Sequence, residues 1–376
     1  MSRLVVAGFL FPLLFTFPVH TQAPVLSEVK ASQLKLLFTG DLMAHLEQLN
    51  GAKLKDGSYR FDSSFSKISS VLSAADLTIG NLETVIGNKK TGYFGYPQFL
   101  TPVSYLSALK TAGFDVLTTA NNHTFDGGPA GITRTLSALD SLGFLSTGSF
   151  SDSLKPNLLF TEKNGIKLGL LAATYGINGS IPKKDAWRLN TLDTVKLGKV
   201  LTQIPEMPDS LRPDFMIASL HWGNEYALAP TDEQKKLADW LFRKGIDVIV
   251  GSHPHVVQGY EKKKVLVKGD STDHTVFFSL GNFISAQRTY PRSFGAALSL
   301  MIEKSHETRK TKLTDFDLLP LYVHQDLSKT ESRYVVWPAG YKADSLIAEK
   351  VVKLKVKEAR KFILSQLSKS DSIFVR

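Results

Sequence analysis

The sequence predicts an α/β protein built on a largely parallel sheet. Short β-rich apolar runs alternate with helical patterns, several runs are continuously apolar as strands covered on both faces are, and nearly every run ends in Gly, Asp, Asn or His. Leu34–Phe38 opens the series, and a helical pattern over Phe65–Ala74 leads to a second strand at Leu77–Ile79. Val103–Thr111 reads as a helix before the strand Phe114–Thr118. Pro129–Leu142 reads as another, its proline suited to a first turn that needs no N–H. Lys167–Ala172, Leu192–Ile204 and Phe215–Ser219 repeat strand, helix, strand. Asp232–Lys244 follows Thr231, whose hydroxyl suits a helix cap, and precedes strands Asp247–Val250 and Val276–Ser279. Phe294–Ile302 is a later strand with an antiparallel look. The charged segment Ser305–Lys312 is a turn before strands Leu313–Val323 and Tyr334–Trp337. A last helix is expected from about Asp344 to Leu367. Its Val352, Val356, Ala359, Ile363 and Leu367 form an apolar stripe fit for docking on a sheet, and its lysines form a solvated outer face.

Composition narrows the chemistry. With 376 residues, 43% hydrophobic and 21% charged, the chain can bury a real core. It has no cysteine, which excludes a disulfide scaffold, a thiolate metal site, a Cys nucleophile and a lipid-anchored Cys, so any metal must use His, Asp, Glu or Asn. The net charge of +10 suits an anionic partner. Residues 1–23 read as a signal peptide: Arg3, an apolar run Leu4–Phe17 too short to span a bilayer comfortably, then Thr21-Gln22-Ala23 before a cut. Export to the periplasm or the outside follows, with a retained N-terminal membrane anchor as the alternative.

The polar residues fall where strands end. Asp41 follows Leu34–Phe38, Asn81 and Glu83 follow Leu77–Ile79, and Asn121, Asn122, His123 and Asp126 follow Phe114–Thr118. His221, then Glu225 and Tyr226, follow Phe215–Ser219; His253 and His255 follow Asp247–Val250; Asn282 follows Val276–Ser279. Ligand crevices in open α/β sheets lie outside the carboxyl ends of strands, so these scattered residues are expected to converge on one site. Acids, an Asn and several imidazoles suit Zn, Mn, Fe, Ni or Mg. The number is close to what two divalent ions need. Alternation beyond a strand is expected to separate the His253 and His255 rings so that each serves a different ion. The isolated His274, His306 and His324 read as surface residues. Gly-x-Ser-x-Gly, Gly-x-x-x-x-Gly-Lys-Ser/Thr and Gly-x-Gly-x-x-Gly are all absent, which argues against a serine hydrolase elbow and the common nucleotide-cradling loops.

At these residues the chain resembles the CapA-type capsule-synthesis (poly-γ-glutamate synthesis) family of the calcineurin-like metallophosphoesterase superfamily. The resemblance rests on Gly40-Asp41-x-Met43, Gly80-Asn81-Leu82-Glu83, Ala120-Asn121-Asn122-His123-x-x-Asp126, His221-Trp222-Gly223-x-Glu225-Tyr226, Gly251-Ser252-His253-Pro254-His255 and Ser279-Leu280-Gly281-Asn282-Phe283. It implies a four-layered α/β/β/α sandwich over residues 34–302, completed by C-terminal strands and an amphipathic helix over residues 303–376. It implies one or two divalent metal ions: Asp41 and His255 on the first, Asn122, His221 and His253 on the second, and Glu83 bridging. His123, oriented by Asp126, would act as acid or oxyanion stabiliser. Glu225, Tyr226, Arg288 and Arg292 are expected to bind substrate, with the aromatic loop Tyr93–Pro97 beside them. The superfamily's Asp-x-His becomes Asp41-x-Met43 here, and His45 compensates if the chain turns helical at that point, since residues four apart share a helix face. The expected activity is metal-dependent hydrolysis or transfer on an anionic polymer or phosphoester, with no nucleic acid partner and with capsule-synthesis membrane proteins as candidate partners. A non-catalytic, polyanion-binding capsule assembly or export factor is the alternative.

Overall fold

A computed structural model describes residues 31–154, 157–267, 270–326, 334–340 and 347–367. The expected leader over residues 1–23 lies outside them. The first half holds β1 (Ala31–Leu42), α1 (Leu46–Ala52), α2 (Ser69–Leu72), β2 (Leu77–Leu82), β3 (Val85–Ile86), β4 (Leu100–Thr101), α3 (Val103–Ala112), β5 (Val116–Thr118), α4 (Gly128–Ser141), β6 (Leu145–Thr147), β7 (Leu159–Lys163) and β8 (Ile166–Thr174). There follow α5 (Thr194–Thr202), β9 (Phe215–His221), α6 (Asp232–Arg243), β10 (Val248–Ser252), β11 (Val257–Val267), β12 (Asp270–Leu280), β13 (Asn282–Ile284), β14 (Phe294–Ser305), β15 (Thr311–Gln325), β16 (Tyr334–Pro338) and α7 (Lys350–Leu367).

Two sheets stack face to face. The larger runs β16-β15-β14-β1-β2-β5-β6 with β13 beside β1, and the smaller runs β11-β12-β10-β9-β8-β7. The larger is parallel from β1 through β2 and β5 to β6 and antiparallel from β1 out to β16, with β14 antiparallel to β1 as its pattern suggested; the smaller is parallel at its centre with β11 and β7 antiparallel at its edges. The pleat explains the continuous apolar runs. Leu36 and Phe38 face the core between the sheets while Leu37 faces the outer helices, and Leu168 and Leu170 alternate likewise with Leu171. Helices α1–α4 cover the outer face of the larger sheet, and α5 and α6 cover that of the smaller one, giving the expected α/β/β/α layers. The stripe on α7 enters the inter-sheet core, touching β14 and β15 of one sheet and β11 of the other, while Lys355, Lys357 and Lys361 stay exposed.

A repeated device aligns the strand starts. The amides of Lys35, Thr78, Lys167 and Met216 donate to side-chain oxygens of Asp76, Asp115, Asp214 and Asp247 at 2.7–2.8 Å, and each of these aspartates stands just before the next parallel strand. Each aspartate amide also donates to the carbonyl of the same partner residue. Register is thereby set at the end of the sandwich away from the strands' carboxyl termini.

Three expectations need correction. The helix over Phe65–Ala74 shrinks to the single turn of α2, because serines at 63, 64, 66, 69, 70 and 73 compete for the backbone; Ser66 Oγ, for example, donates to the Ser63 carbonyl. The last helix begins at Lys350, and its expected start near Asp344 lies outside the described residues. His274 is buried rather than on the surface: its Nδ1 bonds the Ile246 carbonyl at 2.8 Å and its Nε2 meets the Thr272 hydroxyl at 2.7 Å.

Candidate metal centre

The carboxyl ends of the parallel strands meet at one end of the sandwich, and six potential ligands come equally from the two sheets. Asp41 ends β1, Glu83 follows β2 and Asn122 follows β5 in the larger sheet; His221 ends β9, and His253 and His255 follow β10 in the smaller. All six are buried. Close approach of the two halves depends on Gly40: a Cβ there would lie 1.8 Å from the Gly281 carbonyl oxygen, to which the Asp41 amide donates. Only a residue without a side chain lets β1 carry Asp41 that close.

The contacts divide into held and unheld atoms. Asp41 Oδ1 accepts from Asn81 Nδ2 at 2.8 Å, and its Oδ2 lies 3.0 Å from His255 Nδ1. His221 Nδ1 is held by Ser252 Oγ and Asn81 Nδ2, while its Nε2 points to Asn122 Oδ1 at 2.8 Å. Glu83 Oε1 is 3.7 Å from Nε2 of both His221 and His255, yet neither Glu83 oxygen has a hydrogen-bond partner among the described residues. An unpartnered buried carboxylate costs several kcal/mol as an anion, roughly, so the pocket as built is short of positive charge. Burial, reinforced by the neighbouring Asp41, raises the Glu83 carboxyl well above its usual range. Burial likewise lowers His221 well below the ordinary imidazole value and takes His253 down to about 4, with facing imidazoles adding to both. Neutral imidazoles and an orphaned carboxylate are the donor forms a divalent cation requires, so the residues present fit a metal centre. Asp41, Glu83 and His255 place one ligand atom each within 4.8 Å of one another, and so do Glu225, His253 and His255.

Beside these groups, His123 Nδ1 lies 2.7 Å from Asp126 Oδ2, which also accepts the Phe99 amide at 2.7 Å. The ring is thus aimed by a carboxylate that is itself anchored, and its Nε2 is left toward Asn178. Phe99 packs edge-on against His123 at 4.5 Å, and the aromatic loop of Tyr93–Pro97 runs beside it with Phe94 and Tyr96 exposed.

Some expected residues sit elsewhere or arrive by another route. Arg288 donates to the Val323 carbonyl at 2.7 Å and so ties its loop to β15, whereas the Arg292 guanidinium stacks 3.3 Å over the Tyr226 ring at the site's rim. His45 does not adopt the helical relation to Asp41, because α1 starts only after it; its Nδ1 accepts the Ala286 amide and its ring packs on Phe99. Met43 is buried in the apolar interior. His253 and His255 are not separated by strand alternation: β10 has ended, both have positive φ (95° and 58°), and their rings lie 6.0 Å apart. Glu225, expected at the substrate, falls within the second ligand group. Tyr175 and Asn178 were not singled out from the sequence. Tyr175 lies 4.6 Å from the His253 ring, and it follows β8 as the other site residues follow their strands, so the same strand-end rule would have found it.

The family model for bacterial capsule synthesis protein PGA_cap matches residues 35–287. The chain is 27% identical over 362 residues to PGA biosynthesis protein CapA of Bacillus subtilis, covering 93% of this chain and 85% of that protein. It is 26% identical over 357 residues to capsule biosynthesis protein CapA of Bacillus anthracis, covering 90% and 80%. The crystal structure of calcineurin-like phosphoesterase YfkN from Bacillus subtilis aligns with a TM-score of 0.44 at 16% identity over 89% of this chain and 98% of that one.

Proposed function

The chain belongs to the bacterial capsule synthesis protein family PGA_cap, and on that premise we propose that it is an exported, metal-dependent hydrolase or transferase acting on an anionic substrate. The observation that carries this reading is Glu83, fully buried between two imidazoles with both oxygens unpartnered. Such a group is destabilising unless a cation joins it. Asp41, Glu83, Asn122, His221, His253 and His255 would hold the ions. Divalent ions of the Mn, Zn, Fe or Mg kind supply, when bound, a water of lowered pKa and polarisation of the substrate oxygen.

The chain's own residues account for the rest. Asn81 and Ser252 fix the ring of His221, so its Nε2 faces inward. Asp126 anchors the Nδ1 side of the His123 ring, so Nε2 is the ring atom left to exchange a proton with a leaving group. Phe99 walls that imidazole from solvent. Arg292 and Tyr226 at the rim supply a cation and a ring for an acidic chain, in keeping with the net charge of +10. The names of the Bacillus relatives, tied to PGA and capsule biosynthesis, point to an acidic polymer as much as to a phosphoester. Capsule-synthesis membrane proteins are the partners this reading implies.

Buried Met43, where the superfamily's imidazole is absent, favours the second reading, a polyanion-binding assembly factor. Metal analysis with activity measured on phosphoesters and γ-glutamyl polymers separates the two. His221→Ala should lose metal and activity together, whereas His123→Ala should keep the metal and lose activity ~10²–10⁴-fold. Equal metal loss in both variants would make His123 a ligand. Polyanion binding that survives both, with no turnover in the wild type, would establish the assembly factor. N-terminal sequencing of the exported protein tests cleavage near Ala23.

A further inference from the structure

We propose that Glu225 is a metal ligand delivered from the mouth of the site, completing an outer cation position with His253 and His255. The inference rests on the metal-dependent reading above and adds to it a residue that strand-end reasoning assigned to substrate. A carboxylate oxygen of Glu225 and one nitrogen from each imidazole lie within 4.8 Å of one another. An independent observation points the same way: His253 is 4% exposed, yet its Nδ1 has no hydrogen-bond partner among the described residues. A buried ring nitrogen left bare costs free energy until a donor or a cation meets it.

The loop carrying Glu225 is built to hold that position. The Tyr226 amide donates to the Pro254 carbonyl, between the two histidines, at 2.8 Å. Gln258 Nε2 donates to the carbonyls of Ala227 and Ala229, and Arg292 lies 3.3 Å over the Tyr226 ring. The loop and the His253–His255 turn are therefore locked to each other, and the backbone that carries Glu225 has little freedom left to lose on binding. His255 Nδ1 faces Asp41 and Asn282, so its Nε2 has the one lone pair left for a metal. It serves the outer ion here, and the buried inner position falls to Asp41, Glu83, Asn122 and His221, while the exposure of Glu225 marks the outer one. Two imidazoles and one carboxylate form a donor set for Mn²⁺, Zn²⁺ or Fe²⁺. Cation exchange through the mouth follows from the one solvent-facing ligand.

The test is titration of the metal-stripped full chain with Mn²⁺, followed by calorimetry and by electron paramagnetic resonance. The wild type should bind two ions of unequal affinity. Glu225→Gln should weaken the looser one at least tenfold and leave the tighter one unchanged, and Glu225→Asp should restore part of the loss. Because Glu225 is exposed, circular dichroism of the Gln variant should match the wild type. Two unaltered affinities in Glu225→Gln overturn the assignment, as does a weakening of the tighter ion alone. A wild type that binds no ion at all overturns the metal-dependent reading itself, before Glu225 enters.

Discussion

His253 and His255 hold their rings at the site from a left-handed backbone, a conformation costing an L residue roughly 1–2 kcal/mol relative to the right-handed one. The geometry separates what the imidazole does from what the backbone costs. In the metal-free protein, His253→Gly should be more stable than His253→Ala by about 0.5–1 kcal/mol, since glycine occupies this region freely. Urea melts in chelator would show it, and an alanine variant equal to or above the glycine one would contradict the strain. The two histidines were legible in the sequence as candidate site residues because they follow an apolar strand, and the structure brings both to the strand-end cluster. Their arrangement was not: alternation applies only while the strand continues, and β10 stops at Ser252. Glu225 shows the complementary limit, since three residues of loop separate it from β9 and spacing cannot say where a loop folds back.

Among the elements, those predicted best are the central parallel strands, buried on both faces and therefore continuously apolar. β11 escaped because Glu261, Lys262, Lys263 and Lys264 interrupt its pattern, although it pairs with β12 along its length. The paired aspartates at the strand starts carry a measurable consequence. Burial pushes the Asp247 carboxyl up to about 7, while its side chain accepts the Met216 amide at 2.7 Å. A folded-state value above the unfolded one, about 3.9, means that the folded state binds the extra proton. That contribution to stability is complete below about pH 4 and is lost as pH rises toward 7. Asp247→Asn keeps an acceptor for the amide and removes the ionisation. Relative to wild type, its melting temperature should rise at pH 8 and show no gain at pH 4. Parallel pH profiles of the two proteins would refute it.

For the whole molecule, the even division of the candidate ligands between the sheets would, on the metal-dependent reading, make the cation a clasp across the sandwich. Whatever free energy the ion gains from having both halves in place, the docking of the halves gains from the ion; the two quantities are one coupling seen from either side. A packing defect should therefore be readable as a loss of metal affinity, even far from any ligand. Leu34 offers the case: it is fully buried in the inter-sheet core, seven residues or roughly 23 Å of strand before Asp41. Leu34→Ala should cost about 2–5 kcal/mol of stability and also weaken Mn²⁺ binding about fivefold, the low end of common coupling between sites. Saturating metal should in turn return part of the lost melting temperature. An unchanged affinity in a destabilised Leu34→Ala would mean that the sheets meet rigidly with or without the ion. If the affinity falls as expected, metal supply sets how tightly the two halves are held together, and scarcity of the ion loosens the whole sandwich.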